Sequence, residues 1–547
     1  MTATKLPDPD YENILDYFPL EDFRKGQKDI LLQFKEYLLD PSVSHIICQA
    51  ATGTGKSALA LAAARASRSA YIATANKMLQ DQYVKDFSDI MVNLKGRANY
   101  ECYAHQPPIG KPNYNCGNSP CRSSQESRAA CAGMNLCGYH RQREKAVAAN
   151  ITSFNFAAAL PYLNHLSHLF PPRNLLICDE AHSVWSWLTN FIGVNLNLKL
   201  LESVDVLDYI PNYECLDQYL ELINKVQNTV AEYLTFKDLD SALVEKLESL
   251  QNRLQLFDII TDNKKNIDNF ILDKRFDVRD YTKIINLSFK PVDVANLLHD
   301  YFFKHAKKTI LLSAVILDFD TYMDLMGIDP AKARVIVVDS TFPVENRPIY
   351  TYEAVGRLNR SNLESYIPDI CFKIDELLRV YSNVKGIVHG VSWNLCTKIY
   401  NGLSDKTRDR ILFAGWSDRN EPTDQTMLIN FHEETDEPTI LLSPSMSEGV
   451  DLKGSLSHIQ IIAKMPYPSL GDPITLKRMK LKKNFYPMLT AQTIVNMYGR
   501  SIRSETDICD TYILDSSFLR FVENNFKILP KSFINAIIRR EAKFCPD

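Results

Sequence analysis

The run Ala50-Ala51-Thr52-Gly53-Thr54-Gly55-Lys56-Ser57 constrains this chain more than any other feature. An apolar stretch, His45-Ile46-Ile47-Cys48, leads into it, and an alanine-rich segment leaves it near Ser57. The pattern predicts a buried strand, a tight glycine loop and a helix whose N-terminus faces an anion. Gly53 and Gly55, with Thr52 and Thr54 between and before them, let backbone N–H groups turn toward phosphate oxygens. In such a loop Lys56 reaches the β- and γ-phosphates and the Ser57 hydroxyl ligates Mg2+. Far downstream, Asn174-Leu175-Leu176-Ile177-Cys178 ends in Asp179-Glu180-Ala181-His182. This reads as a buried parallel strand that delivers carboxylates to a sheet edge. Asp179 would hold Mg2+ directly or through water, and Glu180 would orient and deprotonate an attacking water. His182 would link the nucleotide site to the next domain. The two runs predict an ATP and Mg2+ site with Lys56, Asp179 and Glu180 as catalytic groups.

At 547 residues the chain exceeds one hydrophobic core and divides into three or four units. With 45% apolar and 23% charged residues it has a globular composition, and no apolar run is long enough to cross a bilayer, so no membrane partner is expected. The N-terminal Met1-Thr2-Ala3-Thr4-Lys5-Leu6-Pro7-Asp8 lacks the charged-then-apolar pattern of a secretory signal. A reducing, cytoplasmic or nucleoid-associated setting is the expectation. A formal charge of −4 gives no global attraction to a polyanion, so any nucleic-acid contact must come from a local basic track.

Five of the twelve cysteines, Cys102, Cys116, Cys121, Cys131 and Cys137, crowd into one stretch rich in Gly, Pro, Asn and Ser. Too few apolar residues lie between them for a core, so the segment needs a staple, and thiolate ligation of a metal supplies one in a reducing cell. Thirteen, four, nine and five residues separate successive cysteines, without the paired C-x2-C knuckles of common zinc sites. Spacing alone leaves zinc and an iron-sulfur cluster both open.

The order of phosphate loop, cysteine cluster, DEAH, helical insertion and second motor half resembles the XPD/DinG family of superfamily 2 DNA helicases, over about Phe23 to Phe518. Lys95-Gly96-Arg97-Ala98-Asn99-Tyr100-Glu101-Cys102 is similar to the family's lead-in to the first cluster ligand, and Cys137-Gly138-Tyr139 to the segment around the last. The resemblance implies a [4Fe-4S] cluster held by Cys102, Cys116, Cys121 and Cys137, with Cys131 in competition for either middle place. Thr74 to Gln82 resembles motif Ia, where Thr hydroxyls and backbone N–H groups contact phosphates of a single strand. Gln27, in Phe23-Arg24-Lys25-Gly26-Gln27, stands at a distance that suits adenine reading. Ala306 to Ala314 resembles a strand ending in motif III, Ser447-Glu448-Gly449-Val450-Asp451 resembles motif V, and Tyr498-Gly499-Arg500-Ser501-Ile502-Arg503 resembles motif VI. Gly449 and Asp451 would then touch the nucleotide, while Arg500 and Arg503 would reach across a cleft as arginine fingers. Asn496 stands where many members of the family have Gln.

The fold class expected is α/β, with two RecA-like parallel-sheet motor domains, an inserted iron-sulfur domain and an inserted helical arch. After Ala314 the chain should change sheets, with strand-like runs at 334–338, 385–389, 410–414, 439–443, 459–463 and 511–515. The expected bounds are 1–98, 146–190 and 305–340 for the first motor domain, 99–145 for the cysteine domain, 191–304 for the arch and 341–547 for the second motor domain. The insertion should be mostly helical, its stripe of Leu243, Leu247, Leu250 and Leu254 serving as core. Lys95, Arg97, Tyr100, Tyr139, Arg141, Arg143 and Phe154 are candidates for phosphate and base contacts. The resemblance implies an ATP-dependent helicase of DNA repair, replication or recombination. It would be a monomer that moves 5′ to 3′ on single-stranded DNA and opens forked duplex DNA. Two alternatives stay open at this point: an ATPase that remodels protein-DNA or RNA-DNA complexes without processive unwinding, and a nucleotide-switched scaffold with a zinc-bound interaction module.

Overall fold

The computed structural model describes residues 6–103, 105, 113–122, 137–236, 241–262, 267–277, 280, 282–359, 361–413, 425–446 and 451–538. Cys131 and the run 447–450, Gly449 included, lie outside the described residues. In chain order the strands are β1 (His45–Ala50), β2 (Ala70–Thr74), β3 (Val92–Asn93), β4 (Ile151–Asn155) and β5 (Arg173–Asp179). An insertion contributes β6 (Val194–Asn197), β7 (Phe270–Phe276) and β8 (Ile284–Pro291). The chain returns for β9 (Ala306–Ser313) and β10 (Ala333–Val338). The remainder forms β11 (Ile349–Val355), β12 (Gly386–His389), β13 (Ile411–Phe413), β14 (Ile440–Ser443), β15 (Ile459–Ile462), β16 (Asp510–Asp515) and β17 (Ile537–Ile538).

Two seven-stranded sheets result, ordered β10-β1-β9-β5-β2-β4-β3 and β13-β14-β12-β15-β16-β11-β17. The strand pairs in both run parallel, which explains why β2, β4, β5, β12, β14 and β15 are buried along their whole length. Chain order differs from spatial order, so helices must cross over and cover both faces. The helix Lys56–Ser67 shows what this demands: Ala58 through Ala64 are all buried, on every side of the helix. Alanine and leucine fill that space without the overpacking that larger side chains would cause.

Two expectations need correction. The run at 334–338, placed after the change of sheets although it falls within the 305–340 expected for the first motor domain, pairs with β1 in register His45 to Ala333 and so lies in the first sheet. An apolar run cannot disclose which sheet it joins, because burial is the same in both. The insertion also holds an antiparallel sheet, β6-β8-β7, beside its long helices Leu216–Phe236 and Ser241–Thr261. Alternation in β6, buried then exposed, is a two-residue period that four residues display too briefly to detect. Within the second helix Leu247, Leu250 and Leu254 are buried and Leu243 packs on the same core.

The two halves meet through a segment after β15. Its helix Pro473–Leu481 carries Arg478, only 5% exposed. Arg478 donates through Nε to Val292 O at 2.6 Å and through Nη2 to Thr189 Oγ1 at 2.8 Å and Pro291 O at 3.1 Å. Its guanidinium also stacks 4.8 Å over Trp185. Asn484 donates to Asp318 at 2.8 Å, and Gln492 donates to Ile316 O at 3.2 Å. No helix among the described residues is long and apolar enough to cross a membrane.

Candidate functional site

The loop after β1 turns through Gly53 at φ +82° and Gly55 at φ +76°, a left-handed conformation costly for residues with a Cβ. Close approach forbids a side chain as well. A Cβ on Gly53 would lie 2.3 Å from Phe342 Cζ and 2.7 Å from Arg503 O, and one on Gly55 would lie 2.3 Å from Gln27 Nε2. The loop is pinned from outside: Gln27 donates to Thr54 O at 2.8 Å, and Arg24 donates to Gly53 O at 2.9 Å. Gln27 is fully buried, its Oε1 accepting from Arg24 N at 2.7 Å, so it braces the loop. Lys56 donates to Ala50 O at 3.1 Å.

Asp179 ends β5 at 3% exposure and has both oxygens occupied: Oδ1 accepts from Glu180 N and Oδ2 from the Tyr83 hydroxyl, each at 2.9 Å. Glu180 sits at φ +55°, in the left-handed region. His182 Nδ1 lies 2.9 Å from Ser313 Oγ at the end of β9 and 3.4 Å from Glu180 Oε2. His182 thereby ties Glu180 to the end of β9 in the same sheet, not to the next domain.

The electrostatics invite a cation. Burial, then the neighbouring charge of Glu180, pushes the Asp179 carboxyl up to about 6, against the pull of Lys56. Burial also opposes charge on Glu180, but His182, Lys56 and Arg500 outweigh it and hold this carboxyl well below the usual range. The Glu180 Oε2 atom is buried, with His182 Nδ1 3.4 Å away. The buried Asp179 carboxyl and the partly exposed Glu180 carboxylate beside one lysine fit a Mg2+ ion held by Asp179 and Ser57.

These groups open into a cleft of about 700 Å3 between the sheets. The first half lines it with Gly53, Gly55, Lys56, Ser57, Asp179 and Glu180, and the second with Asp451, Arg500, Arg503 and Asp507. Arg503 Nε pairs with Asp451 Oδ1 at 3.0 Å, and Asp507 Oδ2 accepts from Arg503 N at 2.7 Å. Thr52 lies outside this cleft, in a small cavity with Asn496, and a Cβ on Gly499 would come 3.4 Å from its Oγ1.

The cysteine segment is pinned by Cys102 N donating to Tyr114 O at 2.9 Å and Cys116 N donating to Tyr100 O at 2.8 Å. Cys116, Cys121 and Cys137 are buried, and Cys102 is half-buried. Cys116 and Cys137 bring their sulfurs to 4.0 Å, while Cys121 Sγ meets Ser119 Oγ at 2.9 Å. Burial and then Cys137 raise the Cys116 thiol, and Arg97 opposes them. Among the described residues no group of three or more His, Cys, Asp or Glu could hold a metal ion. The fit to a four-thiolate cluster is therefore partial.

Two stacking candidates are corrected. Phe154 is fully buried and Tyr139 is 1% exposed, so neither presents a face to a base. Arg97 and Arg143 instead cover the Tyr139 ring at 5.2 and 5.7 Å, Lys95 pairs with Asp81, and the Tyr100 hydroxyl accepts from Lys95 N at 3.0 Å. Only Arg141 of the seven is exposed. Sequence reasoning missed Tyr83, Ser313, Arg24 and Phe342. Tyr83 occupies an ordinary apolar place on the helix Lys77–Phe87, and nothing local marks its hydroxyl as a partner of Asp179.

Residues 378–535 match the family model of the helicase C-terminal domain. The whole chain superimposes on a structure described as an XPD helicase with a TM-score of 0.62, at 14% identity, covering 92% of this chain and 98% of that one. The fold is that of the XPD helicase structures. A second XPD-type structure, S. tokodaii Xpd4, gives a TM-score of 0.58 at 16% identity over 94% of this chain and 99% of that chain. An XPD in its apo form gives 0.55 at 14% identity over 90% and 98%. No curated protein matches the sequence. The XPD-type fold accounts for the two parallel sheets and places the helicase C-terminal domain on the second of them.

Proposed function

We propose that this chain is an ATP- and Mg2+-dependent motor that translocates 5′ to 3′ along single-stranded DNA and opens forked duplexes. The observation that carries the reading is the convergence of Lys56, Asp179 and Glu180 with Arg500 and Arg503 on one cleft between two sheets. Lys56, turned from Ala50 O toward the cleft, would hold the β- and γ-phosphates, with the helix N-terminus behind it. Glu180, kept charged by its cationic neighbours, would take the proton of the attacking water. Arg500 and Arg503 would stabilise charge on the transferring phosphoryl group, and because they belong to the second half, hydrolysis would require closure. Mg2+, held by Ser57 and Asp179, would neutralise the phosphate oxygens. His182 and Ser313 would pass the state of Glu180 to the motif III strand.

Cys102, Cys116, Cys121 and Cys137 would hold a [4Fe-4S] cluster, with Cys131 able to replace a middle ligand, and the cluster would brace the module beside the strand path. Unwinding of a duplex with a single 5′ tail tests the polarity. Opening 5′-tailed and sparing 3′-tailed substrate supports the reading, and the reverse overturns it. Iron content of anaerobically purified protein tests the cluster, and zinc in its place would remove it.

A further inference from the structure

Strand β2 lies beside β5 in the first sheet, with Ala73 opposite Cys178, so the helix that follows β2 starts next to the place where β5 delivers Asp179. That helix, Lys77–Phe87, lines the nucleotide cleft with Met78, Leu79 and Gln82. It turns Gln80 and Tyr83 inward, three residues apart on one face and both fully buried. Gln80 anchors it, donating to Leu94 O at 3.3 Å and Ser153 O at 3.2 Å and accepting from Asn155 Nδ2 at 3.3 Å. Asn76 caps its first turn, accepting from Leu79 N at 2.9 Å. Tyr83 therefore projects from a braced element, and its hydroxyl donates to Asp179 Oδ2 at 2.9 Å.

Packing alone does not ask for that hydroxyl. Tyr83 belongs to an apolar core, where phenylalanine would fill the same space, and burying an O–H is unfavourable unless it finds a partner. Its partner here is a carboxylate at the end of a strand. The terminal torsion of an Asp side chain is broad, so hydrogen-bond donors rather than rotamer preference set the plane of the carboxyl group. Glu180 N holds Oδ1 from the chain itself, and Tyr83 holds Oδ2 from the neighbouring helix, each at 2.9 Å. One donor on each oxygen leaves acceptor capacity on both for a cation. The Ser57 hydroxyl also reaches the Tyr83 oxygen, so a single phenol touches both groups assigned to Mg2+. Burial, then the charge of Asp179, raises this phenol well above its usual range against the pull of Ser57, and it keeps its proton as the donor.

We propose that Tyr83 is a positioning residue for the metal: its hydroxyl fixes the Asp179 carboxylate, with Ser57 beside it, in the orientation that receives Mg2+. The proposal rests on the nucleotide reading above. Groups that hydrogen-bond a metal ligand in this way typically govern affinity by about 10- to 100-fold.

The test is calorimetry of AMP-PNP, a non-hydrolysable ATP analogue, binding to the full chain in Mg2+ and in EDTA. Tyr83→Phe removes one oxygen and keeps the ring, so affinity in EDTA is expected to match wild type. The tightening on adding Mg2+ should shrink about 10-fold or more. With Mn2+ as the probe in place of Mg2+, electron paramagnetic resonance of the nucleotide complex should show more free Mn2+ in the variant. Equal losses in Mg2+ and in EDTA would make Tyr83 a packing residue and overturn the proposal. A lower melting temperature with the Mg2+ effect intact would overturn it in the same way, as would a variant indistinguishable from wild type. Wild-type protein that binds AMP-PNP no more tightly in Mg2+ than in EDTA would overturn the Mg2+ site and this proposal together. Wild type that keeps the effect while Tyr83→Phe also keeps it refutes the role of Tyr83 alone.

Discussion

Removing Arg478 should loosen the join between the two motor halves. The side chain is 5% exposed and donates to Val292 O, Thr189 Oγ1 and Pro291 O, all on the first half or its insertion. Burial lowers its own basicity to about 10, still high enough to keep the charge at neutral pH. In Arg478→Ala the three acceptors stay buried without a donor, each costing roughly 1–3 kcal/mol. Such losses are not additive among neighbours, so the total expected is about 4 kcal/mol. At an unfolding entropy near 2.1 cal/mol/K per residue, this lowers Tm by roughly 3–4 °C if the chain melts as one unit, or about 10 °C if the roughly 190 residues from Ile349 onward melt alone. Scanning calorimetry distinguishes the two, and a new low-temperature transition would show the second half separating. A Tm within 1 °C of wild type, with a single transition, would refute the view that Arg478 holds the halves together.

Gly53→Ala places a Cβ against Phe342 and Arg503 O at a left-handed position, so the halves should be held apart and ATP turnover should fall at least ten-fold. Normal turnover would show that this contact is absent in the active state. His182→Ala cuts the link to Ser313, so nucleotide binding should persist while stimulation of turnover by nucleic acid declines; retained stimulation counts against the relay. Acid should destabilise the fold through His45, His305 and His389, each lowered to about 4, mainly by burial. The unfolded chain then binds more protons between about pH 6.5 and 4, so stability rises with pH across that window and is lost on acidification, by at most about 3 kcal/mol for a fully buried group. A flat Tm between pH 7 and pH 5 would contradict this.

The phosphate loop and the DEAH strand were legible because their chemistry is local: two glycines, a lysine and a hydroxyl at fixed spacing, and two carboxylates closing an apolar run. Arg500 and Arg503 were legible only through resemblance, since two arginines at that spacing commonly mark a solvated helix face. Burial misled the reading of Tyr139 and Phe154, because an aromatic near basic residues carries no sign of which way it faces. Gln27 likewise turned out to be wholly enclosed, its amide spent on the loop backbone rather than left free in solvent. The sheet β6-β8-β7 was hidden because β7 and β8 interrupt a segment dominated by helix formers, and β6 is four residues long. Contacts between distant segments, such as Tyr83 with Asp179 or Arg478 with Val292, have no local signature. They arise from topology, which strand order determines and composition does not.

The most direct test of the account is ATP turnover by wild-type protein and by Glu180→Gln, each with and without single-stranded DNA. The account predicts strong stimulation of the wild type and a loss on the order of 10²–10⁴ in the variant, which keeps the shape of the site but not its base. Wild-type turnover indifferent to DNA, or a Glu180→Gln enzyme that still turns over substantially, would contradict it.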